Sequence, residues 1–215
     1  MAGTTVTDNG DVVAFFKESF QKNGISVNSA DLQTVRGLKK TTAIRRILAL
    51  LKPEVTDALV EKIHEDFISI INAYYRTSPE VKAAGGAEEI FLWLKEKQIK
   101  VALNTGFSKE VADTIVNRFS WKTDGLIDNY ISSDKVEEGR PTPFMIRQLM
   151  KESAIKSADE VVKIGDTVVD IQEGKNAGCG LVIGITTGAC ARSQLQEYNP
   201  DHIIDRLTEL KTLIN

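Results

Sequence analysis

Residues 161–170, which read VVKIGDTVVD, are the stretch that decides the predicted fold. Their apolar run shows no clear polar alternation, as is typical of a strand buried on both faces within a parallel sheet. The strand runs into Gly165-Asp166-Thr167, and Asp170 follows where residues 171–178 continue with helical character. In an open α/β sheet the carboxyl ends of the strands form the ligand crevice, so we expect this loop to lie at a binding site.

Asp166 and Asp170 form a candidate metal site at the end of that strand. One carboxylate lies on the loop and the other on the first helical turn. Such a pair suits a hard cation that keeps water ligands and bridges to phosphate oxygens. The alternative is that Asp166 caps the helix and that Asp170 is a surface acid. Their joint position after a buried strand favours the metal site.

The composition is that of a globular protein with one large α/β unit and a smaller insertion. The 215 residues are 42% hydrophobic and 27% charged, which leaves ample material for a core. A net charge of -3 gives no electrostatic case for binding nucleic acid or an anionic membrane. The N-terminus lacks the regions of a signal peptide, and the two cysteines lack metal-ligand spacing. We therefore expect a cytoplasmic protein without nucleic acid or membrane partners.

The N-terminal third of the chain has helical periodicity and no convincing strand. Phe15, Phe16 and Phe20 recur at helical steps, and Asn28 offers a new helix start. A third helix is predicted from residue 41 to residue 51, ending near Pro53, and a long fourth helix follows. This block is therefore predicted to be an all-α module of roughly four helices.

Helices and strands alternate in the rest of the chain. Strands are predicted at residues 99–104, 130–134, 181–186 and 202–205, in addition to the strand before Asp166. Helices are predicted at residues 87–97, 109–119, 143–152, 171–178 and 207–213. This order predicts an α/β fold with a doubly wound, mostly parallel sheet.

Polar side chains follow the ends of several predicted strands. They are Thr105, Asp134, Asp166 with Asp170, and Thr187. Arg140 lies on the loop after Asp134, between Gly139 and Pro141. A hydroxyl, a guanidinium and paired carboxylates with a metal suit a transferring phosphoryl group. The alternatives are that Thr105 and Ser108 are helix N-caps and that Arg140 is solvated.

The order Thr105, Arg140, Asp166, Asp170 resembles the second, third and fourth motifs of the haloacid dehalogenase superfamily. Four longer segments resemble its phosphonatase-like branch. They are residues 2–6 (AGTTV), 139–145 (GRPTPFM), 165–178 and 186–189 (TTGA). The resemblance implies a Mg²⁺-dependent hydrolase that acts through an aspartyl-phosphate intermediate.

The resemblance also divides the chain. Residues 1–10 would be a remnant of the first core motif, residues 11–78 an inserted all-α (C1-type) helical cap, and residues 79–215 a Rossmann-like α/β core. The implied partner is a small organophosphorus substrate, and a homodimer is one assembly that the resemblance allows.

The same resemblance assigns roles to individual side chains. Asp166 and Asp170 would hold Mg²⁺, and Thr105, Arg140 and Lys40 would be the catalytic residues. The groups that would bind the phosphoryl group and the rest of the substrate are Gly3, Thr4, Thr105, Gly106, Arg140 and Lys40.

The first motif of the family is incomplete in the printed sequence. Aligning Gly3 and Thr4 with that motif puts Met1 directly after the nucleophilic aspartate, so we expect this aspartate and the first core strand to lie upstream. Asp8 and Asp11 are too far along to replace it. The alternative is a catalytically inactive protein that binds phosphate and metal. A receiver-type signalling domain also clusters aspartates, but the helical insertion and the late acid pair argue against it.

Two places where the sequence can be compared with the family pattern bear on the identity of the substrate. Ala2 supplies no proton where phosphate-ester hydrolases of the superfamily carry an acid, as in phosphonatases. Residues 36–40 (RGLKK) resemble the Gly-x-x-Lys cap loop, in which Lys40 would form a Schiff base with an aldehyde. However, Arg36 replaces the usual Met, and Thr42 and Ala43 replace an acidic residue and a histidine. A related organophosphorus substrate is therefore expected. The alternative for Lys39 and Lys40 is that they merely solvate a helix start.

Overall fold

A computed structural model describes residues 1–51 and 54–214. The helices of this part are α1 (Asp11–Lys22), α2 (Ser29–Gln33), α3 (Lys40–Leu51), α4 (Asp57–Thr77), α5 (Ala87–Glu96), α6 (Lys109–Arg118), α7 (Phe144–Glu152), α8 (Val168–Ala177), α9 (Arg192–Gln196) and α10 (Leu210–Leu213). The strands are β1 (Ala102–Thr105), β2 (Asn129–Ser132), β3 (Val162–Gly165), β4 (Leu181–Ile185) and β5 (His202–Ile204). Among these helices none combines the length and the apolar character needed to cross a bilayer.

The first four helices form where the sequence pattern predicts them. The Asn28 side chain accepts a hydrogen bond from the Asp31 amide, so it caps α2 as expected. The predicted end of the third helix near Pro53 lies outside the described residues. The long helix α4 buries one stripe at steps of three and four residues, which is the spacing of a single helix face. The stripe consists of Val60, Ile63, Phe67, Ile71 and Tyr75.

The prediction of a mixed α/β fold with parallel strands is confirmed. β1 pairs with β2, and β3, β4 and β5 pair in that order, all in parallel. Within the described residues these strands form two separate sheets rather than one continuous sheet. The carboxyl ends of β1 and β3 carry Thr105 and Gly165, which directly precede the loops predicted to hold the site.

A buried cluster of polar side chains connects β1 to β3. Lys163 Nζ on β3 lies 2.8 Å from Glu173 Oε2 on α8 and donates to Asn104 Oδ1 on β1 at 2.8 Å. Asn104 in turn donates to both carboxylate oxygens of Glu173, at 2.9 and 2.8 Å. The two sheets are thus joined here by side chains rather than by a backbone ladder.

The start of the strand that ends in Thr105 and the presence of one short helix differ from the prediction. The strand predicted from Ile99 begins at Ala102, because the Ile99 amide still bonds to the Leu94 carbonyl and completes the end of α5. Gln98, with φ 58°, turns the chain there in the left-handed conformation. The short helix α9 was not part of the predicted pattern.

Candidate active site

A cavity of about 70 Å³ opens where the loops after β1 and β3 meet the start of the chain and the turn before α3. Six of the predicted site residues line it. They are Lys40, Thr105, Gly106, Arg140, Asp166 and Asp170. Gly3 packs against the Asp166 side chain, and the Thr4 hydroxyl donates a hydrogen bond to it. The structure therefore brings together side chains that are as far apart in sequence as Lys40 and Asp170.

Asp166 is held at the cavity wall by two hydrogen bonds. Its Oδ1 accepts from the Thr4 hydroxyl at 2.8 Å, and its Oδ2 accepts from the Ala189 amide at 2.8 Å. Burial and the neighbouring charge of Asp170 raise the pKa of Asp166. The alternative that Asp166 caps the following helix is wrong, because the N-cap position of α8 is Thr167.

Asp170 is buried and is not a surface acid, so that alternative is also wrong. It is the third residue of α8 and accepts from the Thr167 amide at 3.2 Å. Its Oδ1 pairs with Arg140 and lies 3.0 Å from Lys163 Nζ. Burial alone would raise the pKa of Asp170, but the charges of Arg140 and Lys163 outweigh it and hold this pKa well below its usual range.

Arg140 is largely buried rather than solvated, with 9% of its side chain exposed. Burial would lower its pKa, but the charges of Asp170, Glu173 and Asp166 raise it, so the guanidinium stays charged. Its Nε has no hydrogen-bond partner within residues 1–51 and 54–214. A buried donor left unpaired costs stability, which is the state expected of a group that awaits an anionic ligand.

Thr105 is buried at the end of β1, and its hydroxyl accepts from the Phe107 amide at 3.2 Å. It does not cap α6, whose N-cap position is Ser108, and Ser108 makes no side-chain capping bond. Among the described residues the Thr105 hydroxyl accepts this hydrogen bond and donates none, so its own proton is available to a ligand in the cavity. This arrangement suits a phosphoryl oxygen as acceptor.

Two of the predicted strand-end residues do not line the cavity. Asp134 is exposed and accepts from the Lys109 amide at 3.0 and 3.1 Å, so it caps the start of α6. The Thr187 hydroxyl donates to the Gly3 carbonyl at 2.8 Å and supports the N-terminal turn. The expectation that every strand end contributes to the crevice was wrong for these two.

The first residues form a tight turn against Asp166. The Met1 carbonyl accepts from the amides of Thr4, Thr5 and Val6. Gly3 has φ +80°, and a β-carbon there would lie 2.3 Å from Asp166 Oδ2. Met1 and Ala2 line the same cavity as Arg140, Asp166 and Asp170. The start of the described chain therefore lies among the charged groups of the cavity.

The turn before α3 packs into the loops of the core. Arg36 Nη1 donates to the Ala189 carbonyl at 2.6 Å. A β-carbon on Gly37 would lie 2.3 Å from Val169 Cγ2, and one on Gly106 would lie 2.7 Å from the Leu38 carbonyl. Gly106 lets two backbones approach closely, and Gly37 lets the turn pack against the Val169 side chain, so residues 36–40 close one side of the cavity.

Lys40 is buried, so the alternative that it only solvates a helix start is wrong. Its Nζ lies 5.4, 5.7 and 5.3 Å from the ring centres of Phe16, Phe67 and Phe107. Burial, then the charge of Arg140, lowers the pKa of Lys40 to about 8. A substantial fraction of this lysine is therefore a neutral amine near physiological pH, as nucleophilic catalysis requires.

The residues present fit a magnesium ion. In the described part of the chain no three His, Cys, Asp or Glu side chains cluster as a complete metal cage. Mg²⁺ does not need one, because it is usually held by one or two carboxylates, waters and substrate phosphate oxygens. Asp166 and Asp170 supply those carboxylates, and burial together with the neighbouring charge of Asp170 raises the pKa of Asp166.

Sequence reasoning missed two further cavity residues. Asp8 was set aside as too distant, yet it lines the cavity, and its Oδ1 accepts from the amides of Gly10 and Val12 at 3.0 and 3.4 Å. Arg36 was noted only as a departure from the resembled loop, and it also lines the cavity. The run from Arg36 to Lys40 carries three cations next to a glycine, which was the available signal.

Comparison with known sequences confirms the resemblance stated from the motifs. The sequence profile of the haloacid dehalogenase-like hydrolase family matches residues 1–184. A phosphonoacetaldehyde hydrolase of Parabacteroides distasonis is 32% identical, over 86% of this chain and 73% of the relative. A phosphonoacetaldehyde hydrolase of Bacillus anthracis is 26% identical, over 96% of this chain and 82% of the relative.

Comparison with solved structures gives the same fold. A hydrolase from Pseudomonas syringae superposes with a TM-score of 0.87 at 19% identity, covering 99% of this chain and 94% of that one. A phosphonoacetaldehyde hydrolase-like protein from Oleispira antarctica superposes with a TM-score of 0.82 at 21% identity, covering 99% of this chain and 88% of that one. At these identities the similarity concerns the fold.

Proposed function

Because the chain belongs to the haloacid dehalogenase-like hydrolase family, we propose that it hydrolyses a small organophosphorus substrate, a phosphonate or a phosphate ester, with Mg²⁺ as cofactor. The reaction would pass through an aspartyl-phosphate intermediate on an aspartate that directly precedes Met1. We further propose that residues 11–78 form the cap over a core of residues 79–215, that residues 1–10 are part of the first core motif, and that the enzyme works in the cytoplasm, with a homodimer as one assembly.

The observation that carries the proposal is the convergence of charged groups on one small cavity. Arg140, Lys40 and the pair Asp166 and Asp170 come from three separate segments, yet all line the same space. Each is buried or nearly buried, and burying charged groups costs free energy of folding. Clusters of buried charges in a cavity are therefore typical of functional sites.

In the proposed reaction Arg140 and Thr105 bind the oxygens of the transferring phosphoryl group. Arg140 offers its unpaired Nε, and Thr105 offers its hydroxyl proton. Asp166 and Asp170 would hold Mg²⁺, which when bound neutralises the charge on the phosphoryl oxygens. These donors are fixed before the substrate arrives, so little reorganisation accompanies the reaction.

Lys40 is proposed to activate a carbonyl group of the substrate. Its neutral amine, made available by the lowered pKa, condenses with the carbonyl and forms a Schiff base, which can accept the electron pair of a breaking carbon–phosphorus bond. Ala2 fits the same chemistry, because a carbon leaving group activated in this way needs no general acid at that position.

The position of Met1 supports a nucleophile on the residue before it. Met1 lines the same cavity as Arg140, Asp166 and Asp170, so a residue joined to its nitrogen would lie near them. A carboxylate on that residue is the proposed nucleophile.

One observation favours a second candidate function, a phosphate- and metal-binding protein without turnover. Among the described residues the remaining carboxylate that lines the cavity is Asp8, whose Oδ1 is already bonded to the amides of Gly10 and Val12. A protein that carries only the described residues would then bind phosphate without forming a covalent intermediate.

The proposal is tested by assaying two chains with p-nitrophenyl phosphate and phosphonoacetaldehyde. One is the printed chain, and the other carries an N-terminal strand that ends in aspartate before Met1. We expect Mg²⁺-dependent turnover by the extended chain only, and loss of it when the added aspartate is replaced by asparagine. Absence of turnover in both chains, with phosphate bound equally by both, would establish the second candidate instead.

A further inference from the structure

Arg36 lines the cap side of the cavity without a carboxylate partner. It is half-buried, and no Asp or Glu of the described segments lies within 4.0 Å of it as a salt-bridge partner. Within residues 1–51 and 54–214 its side chain makes one hydrogen bond, from Nη1 to the Ala189 carbonyl at 2.6 Å. This bond fixes the guanidinium and leaves the donors on Nε and Nη2 for a ligand.

On the side of the cavity next to Arg36, cationic side chains outnumber the carboxylates that are ion-paired with them. After burial, the charge of Arg140 lowers the pKa of Lys40, that of Asp8 raises it and that of Arg36 lowers it, so two cations and one carboxylate lie within electrostatic reach of Lys40. The Oδ1 of Asp8 accepts from the amides of Gly10 and Val12, and among the described residues Asp8 forms no ion pair with Lys40 or Arg36. Arg140 already pairs with Asp170, which leaves Arg36 and Lys40 without an ion-paired counterion among the described residues. Bringing like charges together in a partly buried site is unfavourable until an anion binds between them.

A carboxylate is the anion that best fits this position. The planar guanidinium binds a carboxylate through two parallel hydrogen bonds. The phosphoryl group is assigned to Arg140 and Thr105 on the core side. A second anionic group of the substrate therefore falls to Arg36, whose Nε and Nη2 donors match the two oxygens of a carboxylate. Lys40, on the same turn as Arg36, is the group that meets a carbonyl beside that carboxylate.

We propose that Arg36 determines the substrate specificity of this site and that the substrate is a small 3-phosphono-2-oxocarboxylate, whose carboxylate binds the guanidinium. The inference rests on the proposed function, which supplies the phosphoryl site and the amine of Lys40. It adds a second anionic group to the substrate and names the side chain that recognises it.

The reaction of such a substrate balances with water alone. The Lys40 amine adds to the 2-oxo carbon and water leaves, giving an iminium. The carboxylate nucleophile forms a phosphorus–oxygen bond while the carbon–phosphorus bond breaks, and the electron pair passes to the iminium to give an enamine. Protonation at carbon 3 and hydrolysis release the 2-oxocarboxylate and restore Lys40. A second water releases phosphate, so the net reaction consumes one water.

The test compares 3-phosphono-2-oxopropanoate with phosphonoacetaldehyde, which lacks the carboxylate, on the N-terminally extended chain with Mg²⁺. The measured quantity is the ratio of kcat/KM for the acid to kcat/KM for the aldehyde. We expect this ratio to be well above one and to fall about 30-fold or more in Arg36→Met. It should fall by an intermediate amount in Arg36→Lys, because lysine keeps the charge but cannot make two parallel hydrogen bonds to a carboxylate. The matched control is Arg192→Met, since exposed Arg192 also donates to a backbone carbonyl, that of Ile203, and should leave the ratio unchanged.

The outcomes separate this inference from the proposed function. Turnover of the aldehyde with no preference for the acid, or equal losses on both substrates in Arg36→Met, would overturn the inference and leave the proposed function standing. If neither substrate is turned over, calorimetry with the same two compounds decides. Tighter binding of the acid that is lost in Arg36→Met supports the role of Arg36 and contradicts the proposed hydrolysis. Equal or absent binding of the two compounds contradicts both the role of Arg36 and the proposed hydrolysis.

Discussion

Gly3 lets the N-terminal turn pack closer to Asp166 than a residue with a side chain would allow. It combines φ +80° with a β-carbon position 2.3 Å from Asp166 Oδ2 and 3.0 Å from the Gly188 α-carbon. Both the backbone conformation and the space therefore require glycine. The consequence for function is that the Thr4 hydroxyl is delivered to Asp166 by a turn that tolerates no side chain at the preceding position.

We predict that Gly3→Ala lowers the free energy of unfolding by about 3 kcal/mol, from left-handed strain together with the clash on Asp166. Urea denaturation measures the loss. Gly24→Ala is the matched control, because Gly24 has φ +69° and nothing within 4 Å of its β-carbon position. It should lose only about 1 kcal/mol. Equal losses in the two variants would show that the contact with Asp166 is unimportant.

Lys40 gives a prediction for the effect of pH. Because the pKa of Lys40 is lowered to about 8, its neutral fraction rises as pH increases and passes one half near pH 8. Borohydride trapping of an aldehyde on Lys40, followed by mass spectrometry, should therefore increase from about pH 6.5 and level off above about pH 9. Lys39→Arg should keep this labelling and Lys40→Arg should lose it.

A profile that still rises steeply above about pH 9 would contradict the lowered pKa of Lys40. The same shift affects stability, because between about pH 8 and 10.5 the unfolded chain binds more protons at this lysine than the folded chain does. The contribution of Lys40 to stability therefore improves as pH rises through that window.

The capping role of Asn28 could be predicted from sequence, since the cap and its partner Asp31 are three residues apart. The surroundings of Lys40 could not. The phenyl rings around its amine come from Phe16 on α1, Phe67 on α4 and Phe107 after β1, and no local pattern indicates that these segments meet. Burial of this lysine is a property of the assembled molecule.

The sequence pattern predicts which segments are helices and which are strands. It does not predict the side-chain contacts that join one element to another. The alternation after residue 79 indicates parallel pairing, and the registers bear this out. Lys163 was treated as one residue of an apolar run, yet it is a buried cation that pairs with Asp170 and Glu173. Its partners lie on the next helix, and its bond to Asn104 crosses to another strand, so periodicity along one segment could not show them.

The link between β3 and α8 gives a second stability prediction. Lys163→Met leaves the carboxylates of Asp170 and Glu173 without this cation, and removing one partner of a buried ion pair costs about 3–5 kcal/mol. Lys211→Met is the control, because its pair with Glu89 is 33% and 59% exposed and should contribute less than about 1 kcal/mol. Chemical denaturation compares them, and losses of similar size would contradict the proposed importance of the cluster.

In the whole molecule, the helical segment and the α/β segment meet at the cavity through residues 36–40. Glycines at positions 37 and 106 allow that approach, and Arg36 secures it on the loop after β4. The fold and its family could be predicted from the order of motifs. The closure of the turn over the site, and the exclusion of Asp134 from it, required the three-dimensional structure.

The central claim is that this cavity binds a phosphoryl group together with a divalent cation held by Asp166 and Asp170. Isothermal titration calorimetry of inorganic phosphate into the printed chain, with and without Mg²⁺, tests it most directly. We predict that Mg²⁺ tightens phosphate binding at least about tenfold, or roughly 1.4 kcal/mol, that Asp166→Asn removes this gain, and that Asp134→Asn, outside the cavity, keeps it. Phosphate affinity that is the same with and without Mg²⁺, and unchanged in Asp166→Asn, would contradict the claim.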